Sequence, residues 1–273
     1  MLGVFLITWR EALEAALIVG ILLTYLQKIG QRRQFRFVLH GVLWAVVVSI
    51  VFAYLSNFVA FLFEGPGQSF FDAGIMFLAT GVLTYMVIWM HHSAREIKGQ
   101  LQTQTDMAIE KGKLWAIAIL AFTGVFREGV ETVLFLWGLV IQGGGITTTS
   151  LMITSGLLGI GLAVLMSWLF FKGFGHLDLR LFFRITGILL LFIAAGLASS
   201  AVGKLIQAGI LPPLIDPLWD TSWLLDERGL IGSVIGGLFG YRSNPSLLEM
   251  LVYFLYFPSV MLWLRKQQHD LAQ

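Results

Sequence analysis

The sequence predicts an all-α, polytopic membrane protein: seven transmembrane helices arranged as two inverted three-helix repeats plus a seventh helix. Three observations lead there. Of 273 residues, 57% are hydrophobic and 12% charged, about half the charged share of an average soluble domain. Apolar runs of about 20 residues, the length that crosses a hydrocarbon core, can be placed seven times. A short charged pattern, Arg10-Glu11-Ala12-Leu13-Glu14, returns as Arg127-Glu128-Gly129-Val130-Glu131, each copy inside such a run.

In chain order the runs are Gly3–Gln27, Val38–Phe63, Phe71–His91, Leu114–Ile141, Ser150–Phe171, Leu181–Gly203 and Ser246–Leu264. Residues 1–273 then form one membrane domain, with the first repeat in 1–92 and the second in 114–203. An external segment follows in 204–245 and the last helix in 246–264. The first run begins at Leu2 with no basic stretch before it and contains Arg10, Glu11 and Glu14. It therefore reads as a span rather than as a cleaved leader. Leu230–Tyr241 is apolar but short and glycine-rich, and is expected to lie at the interface or dip in part-way. The absence of cysteine excludes a disulfide framework, a thiolate metal site and a redox thiol. A net charge of +2 without a long basic run argues against nucleic acid as a partner; the partner is the lipid bilayer.

Orientation follows from the lysines and arginines. Lys28, Arg32, Arg33 and Arg36 lie in the first connection, and Arg95, Lys98, Lys111 and Lys113 in the third. Lys172, Arg180 and Arg184 flank the fifth, and Arg265 and Lys266 follow the last span. These thirteen of 18 share one side, against Lys204, Arg228 and Arg242 on the other. The positive-inside rule makes the thirteen cytoplasmic, so the N-terminus faces out and the C-terminus in. The expected location is the cell (inner or plasma) membrane, crossed many times. The outer side carries Glu64, an uncharged loop over 143–149 and the acids Asp216, Asp220, Asp226 and Glu227, a vestibule that would concentrate cations.

The two motifs lie 117 residues apart, Glu11 to Glu128, and three spans, an odd number, separate the start of the first motif helix from the start of the second. Their helices thus run in opposite directions, the mark of inverted repeats whose site lies near the midplane. At about 1.5 Å per residue, Glu11 and Glu14 sit about 12–17 Å, and Glu128 and Glu131 about 16–20 Å, from the outer ends of their helices. All four carboxylates can share one level. Positions three apart on a helix face nearly the same way, so each helix offers two carboxylates on one stripe, with its Arg on the same side.

A charged side chain at the bilayer centre costs about 2.5–3.5 kcal/mol on insertion scales and marks function by default. Four carboxylates without sulfur or histidine suit a hard cation bound through oxygen: ferric iron, manganese, calcium or magnesium. The expected ligands are Glu11, Glu14, Glu128 and Glu131, with Arg10 and Arg127 offsetting negative charge in the empty site. Cation entry would expel protons held by the empty site, a route to proton coupling. The plain alternative, intrahelical pairs Arg10–Glu14 and Arg127–Glu131, leaves Glu11 and Glu128 without a partner. Asp72 and Glu249, each opening a helix near the outer face, are candidate entry ligands or first-turn acids favoured by the helix dipole. His91-His92 would stand at the cytoplasmic end of the third span. The nine methionines read as packing, and Gly156, Gly159, Gly161 and Gly196 as points of close helix approach.

At these residues a family becomes recognisable. The paired motifs, in the first and fourth of seven spans, resemble those of the oxidase-dependent iron permease family. The likeness extends to Arg10–Val19, Leu83–Met90, Arg127–Phe135, Ala194–Ala198, Phe239–Tyr241 and Pro245, Ser246 and Glu249. The resemblance implies iron uptake through the motif glutamates, with ferric iron as the expected form and iron as cargo rather than cofactor. It also implies iron-binding and oxidase or peroxidase partners at the periplasmic or extracellular face. This chain departs from the family at Asp72-Ala73, where a Glu-Gly pair is usual; the shorter acid keeps the charge and loses about one carbon of reach. Two alternatives stay open: another cation, such as lead or manganese, on the same scaffold, and an intramembrane di-iron oxidoreductase. The latter class favours Glu-x-x-His pairs, which neither motif supplies, and the expectation is a transporter rather than an enzyme.

Overall fold

In the computed structural model the chain is described over residues 2–63, 67–93, 97–110, 112–142, 149–172, 179–227 and 229–270. Its regular structure there is helical. The helices are α1 (Leu2–Lys28), α2 (Phe35–Leu62), α3 (Gln68–Ser93), α4 (Ile97–Glu110) and α5 (Trp115–Gln142). They continue with α6 (Thr149–Phe171), α7 (Leu179–Gln207), α8 (Leu230–Phe239) and α9 (Leu247–Asp270). Glu64, Arg95, Lys111, Arg228 and the 143–148 stretch lie outside the described residues, as do the side chains of His91 and His92.

Among the described residues five helices, α2, α3, α6, α7 and α9, are long and apolar enough to cross a membrane. Helices α1 and α5 are as long, 27 and 28 residues, but each carries three charged motif residues midway along. Helix α4 was not expected. It packs Leu101, Ala108 and Ile109 against Leu22, Leu26 and Ile117, beside the C-terminal end of α1 and the N-terminal end of α5. A hydrogen bond from Tyr25 to Asp106 ties it to α1. Short α8 does not stand alone at a surface, because Leu238 joins the main apolar core.

Helix ends follow from local chemistry. Gly30 and Gly209 hold the left-handed conformation just past α1 and α7, which a side chain would strain. At α1 the Gln31 N–H reaches the Leu26 carbonyl at 2.8 Å and the Gly30 N–H that of Gln27 at 3.2 Å. Both bonds satisfy carbonyls the helix leaves open. At α9 the start is a reciprocal cap, Ser246 with Glu249 three residues on.

The helices pair crosswise. The most extensive contacts join α2 to α5, α1 to α6 and α3 to α7, followed by α1 to α5. Small residues permit the closest of these. A methyl group at Gly41 would overlap the Ala118 carbonyl oxygen, so α2 meets the α5 backbone there. One at Gly159 would fall 2.8 Å from the Phe5 carbonyl oxygen and 2.9 Å from the Trp9 nitrogen. Gly196 stands in the same way against Gly240, whereas Gly156 has only ordinary contacts and Gly161 faces open space. Two of the four expected close approaches are therefore found.

Helices α1 and α5 run antiparallel. Gly3 lies beside Leu139, and Gly124 beside Ile18. Toward the start of α1 an apolar core gathers Val4 and Ile7 with Phe135, Leu83, Met76, Leu190 and their neighbours. Toward its end a second gathers Leu22, Leu26, Val38, Ile117 and Ala121. The motif residues occupy the level between these two cores.

Gly41→Ala should destabilise the protein by about 1–3 kcal/mol, the cost of forcing volume into a packed contact, whereas Gly161→Ala should not. Thermal melting of detergent-solubilised protein, followed by size-exclusion chromatography, reads the difference.

Candidate metal centre

Arg10, Glu11, Glu128 and Glu131 sit on the buried stripes of their helices. On α5 the stripe runs Ile117, Ala121, Val125, Glu128, Glu131, Phe135 and Leu139, steps of three and four that keep one face inward. On α1 it includes Ile7, Arg10, Glu11, Leu22 and Leu26. Because the two helices oppose each other in register, the stripes bring their acids together.

Glu11, Glu128 and Glu131 are buried, and each offers a carboxylate oxygen within 4.8 Å of the others. Each also keeps one buried oxygen, Oε2, without a hydrogen-bond partner among the described residues. Buried polar groups are normally satisfied, so three such oxygens from one group stand out. Oxygens at these separations can close around one small cation, whose oxygen ligands lie at about 2–2.6 Å. No histidine belongs to the group.

Glu14 lies outside this trio of oxygens. Its carboxylate meets Arg10 Nη2 at 2.7 Å, while Arg10 Nη1 meets Glu11 Oε1, also at 2.7 Å. Both expected intrahelical pairs are present, since Arg127 Nε meets Glu131 Oε1 at 2.9 Å. The two arginines nevertheless differ. The Arg10 side chain is 2% exposed and that of Arg127 40%.

Two residues that sequence reasoning passed over touch these arginines. Met86 Sδ accepts a hydrogen bond from Arg10 Nη1 at 3.3 Å, and the Trp89 ring lies 4.7 Å from the Arg127 guanidinium carbon. Met86 was read as packing, and it does belong to the core. The signal that could have found the pair is their spacing: three residues apart on α3, they share a face.

The candidate entry ligands are placed differently. Asp72 Oδ2 pairs with Lys204 Nζ at 3.2 Å, linking α3 to α7. Glu249 Oε1 pairs with Arg242, and its Oε2 accepts from the Ser246 N–H at 2.8 Å and hydroxyl at 3.0 Å. Gly203 leaves the room that this ion pair fills. Both acids already hold cationic partners, and Glu249 completes a helix cap. Between α7 and α9, Glu227 bonds to Ser243. The Asp220 carboxyl is held below its ordinary range by the Ser222 hydroxyl and N–H.

Long apolar helices closed around a buried acidic group define the class: an integral membrane protein. The chain matches the iron permease FTR1 family over residues 1–266 and belongs to that family. It is 34% identical over 254 residues to the ferrous iron permease EfeU of Escherichia coli O157:H7, a match covering 92% of this chain and 91% of that protein. The ferrous iron permease EfeU of Yersinia pestis is likewise 34% identical, with 89% of its length covered. No solved structure matches the chain.

The Ser246–Glu249 cap yields a prediction. Ser246→Ala should lower stability by about 0.5–2 kcal/mol, as loss of an N-cap does, and Glu249→Gln should do so as well, since it strips the charge facing Arg242. Both should show as earlier melting in detergent.

Proposed function

We propose that the chain imports iron across the cytoplasmic membrane, with Glu11, Glu128 and Glu131 replacing the ion's water shell midway. The observation that supports this best is the buried trio, whose oxygens lie within 4.8 Å of one another. Glu14 contributes through Arg10, whose guanidinium it shares with Glu11.

In this reading α1, α2, α3, α5, α6, α7 and α9 are the seven spans, with α1–α3 and α5–α7 as inverted repeats. Antiparallel α1 and α5 favour it, as does the packing of α2 on α5 and of α6 on α1. The thirteen lysines and arginines favour an N-terminus outside. Residues 204–245 then face outward, where an iron-binding, oxidase or peroxidase partner would deliver the ion.

Ferric iron is the form expected of a four-carboxylate site in this family; we propose ferrous iron instead. Four motif glutamates and two arginines, all ionised, leave two negative charges, which a divalent ion cancels. Neutrality matters here because an uncompensated buried charge is strongly destabilising. The relatives are also named for ferrous iron.

Radioactive iron uptake into proteoliposomes checks this reading. Glu11→Gln, Glu128→Gln and Glu131→Gln should each cut the initial rate at least tenfold at equal reconstitution; three unaffected variants would return the motifs to ion pairing within their helices. In the same vesicles, uptake from ascorbate-reduced iron should exceed uptake from chelated ferric iron. Excess manganese or lead should compete weakly, and strong competition would favour a broader cation carrier.

A further inference from the structure

The two copies of the motif are alike in sequence, yet their arginines are held differently, and α3 is the element that touches both. Met86 and Trp89 stand one turn apart on it. Met86 meets the buried Arg10, which already bridges Glu11 and Glu14. Trp89 offers its ring face to Arg127, at 4.7 Å from the guanidinium carbon, while Arg127 binds Glu131 Oε1 through Nε.

A guanidinium is a planar fork that pairs with a carboxylate through two parallel N–H bonds when it can. Arg127 bonds to Glu131 through Nε, its fork lying over the indole. Glu131 Oε2 is left buried without a hydrogen-bond partner among the described residues, in the group shared with Glu11 and Glu128. The side chain of Arg127 is 40% exposed, so nothing encloses it as Arg10 is enclosed. A cation over a ring face is attracted to it, and Arg127 stands over that of Trp89.

We propose that Trp89 is a positioning residue for the carboxylate site: it holds the Arg127 guanidinium on the Oε1 edge of Glu131 and so keeps the other oxygen open to the transported cation. Without the ring, the fork closes over both oxygens of Glu131 and competes with the ion for them. This rests on the reading of the trio as the iron site.

The test is ferrous iron uptake in proteoliposomes by wild type, Trp89→Phe, Trp89→Leu and Trp89→Met, with Glu128→Gln alongside. Leu and Met both remove the ring, so the comparison stands if one of them fails to fold. Loss of the ring should raise the half-saturating iron concentration about tenfold, within the range of one partly exposed cation–ring contact, with the maximal rate within about twofold. Trp89→Phe keeps a ring and should stay within about twofold of wild type on both counts. A packing role would instead show in folded yield or maximal rate, alike for Phe, Leu and Met. Ring-less variants that match Trp89→Phe in half-saturation, or that change only the maximal rate, overturn the proposal. If Glu128→Gln transports like wild type, it is the iron-site reading that fails; if Glu128→Gln is inactive while Phe and Leu are alike, only the role of Trp89 fails.

Discussion

Carboxylates a few ångströms apart in an apolar interior repel one another, and the repulsion grows as water is excluded. Glu11, Glu128 and Glu131 are in that position, and much of the surrounding architecture answers to it. Arg10 and Arg127 supply opposite charge at contact distance. Apolar cores toward either end of α1 leave the charged level as a thin belt. The group holds together because its members come from rigid helices packed on other helices.

That packing explains how a charged helix sits within an apolar bundle. The charged α1 and α5 each lie against a partner with no charge midway along, α6 and α2 respectively. Gly159 and Gly41 bring those partners to backbone contact. The outward faces of α2 and α6 are apolar, with Leu43, Ile50 and Leu55 exposed on one and Leu157, Leu158 and Leu165 on the other. Exposed apolar surface thus falls largely on helices that carry no charge midway along, and the motif helices pack against them.

The two candidate entry acids follow a different logic. Asp72 and Glu249 looked like further ligands because they are acids at helix starts. Lys204 and Arg242, from other parts of the chain, meet them. These pairs fasten α3 to α7 and the 204–245 segment to α9. An acid whose charge already serves a structural bond is a poor competitor for a passing ion. The sequence alone offered no way to see this, since Lys204 is 132 positions from Asp72.

Local chemistry was enough to place the long helices, the shared stripe of Glu128 and Glu131, the intrahelical ion pairs and the membrane class, because periodicity and apolar length are properties of neighbours along a chain. Helix α4 escaped notice because its fourteen residues are mostly polar and its apolar face, Leu101, Ala108 and Ile109, has meaning only against α1 and α5. The repeat of the motif signalled that acids from two helices could meet, and the register of α1 against α5 settled which ones do: Glu11 with Glu128 and Glu131, while Glu14 stays with Arg10. Identical motifs likewise acquired unequal arginines, one enclosed beside Met86 and one half-exposed over Trp89. What an arginine can do at the site depends on which side chains α3 presents to it, and that is decided in three dimensions.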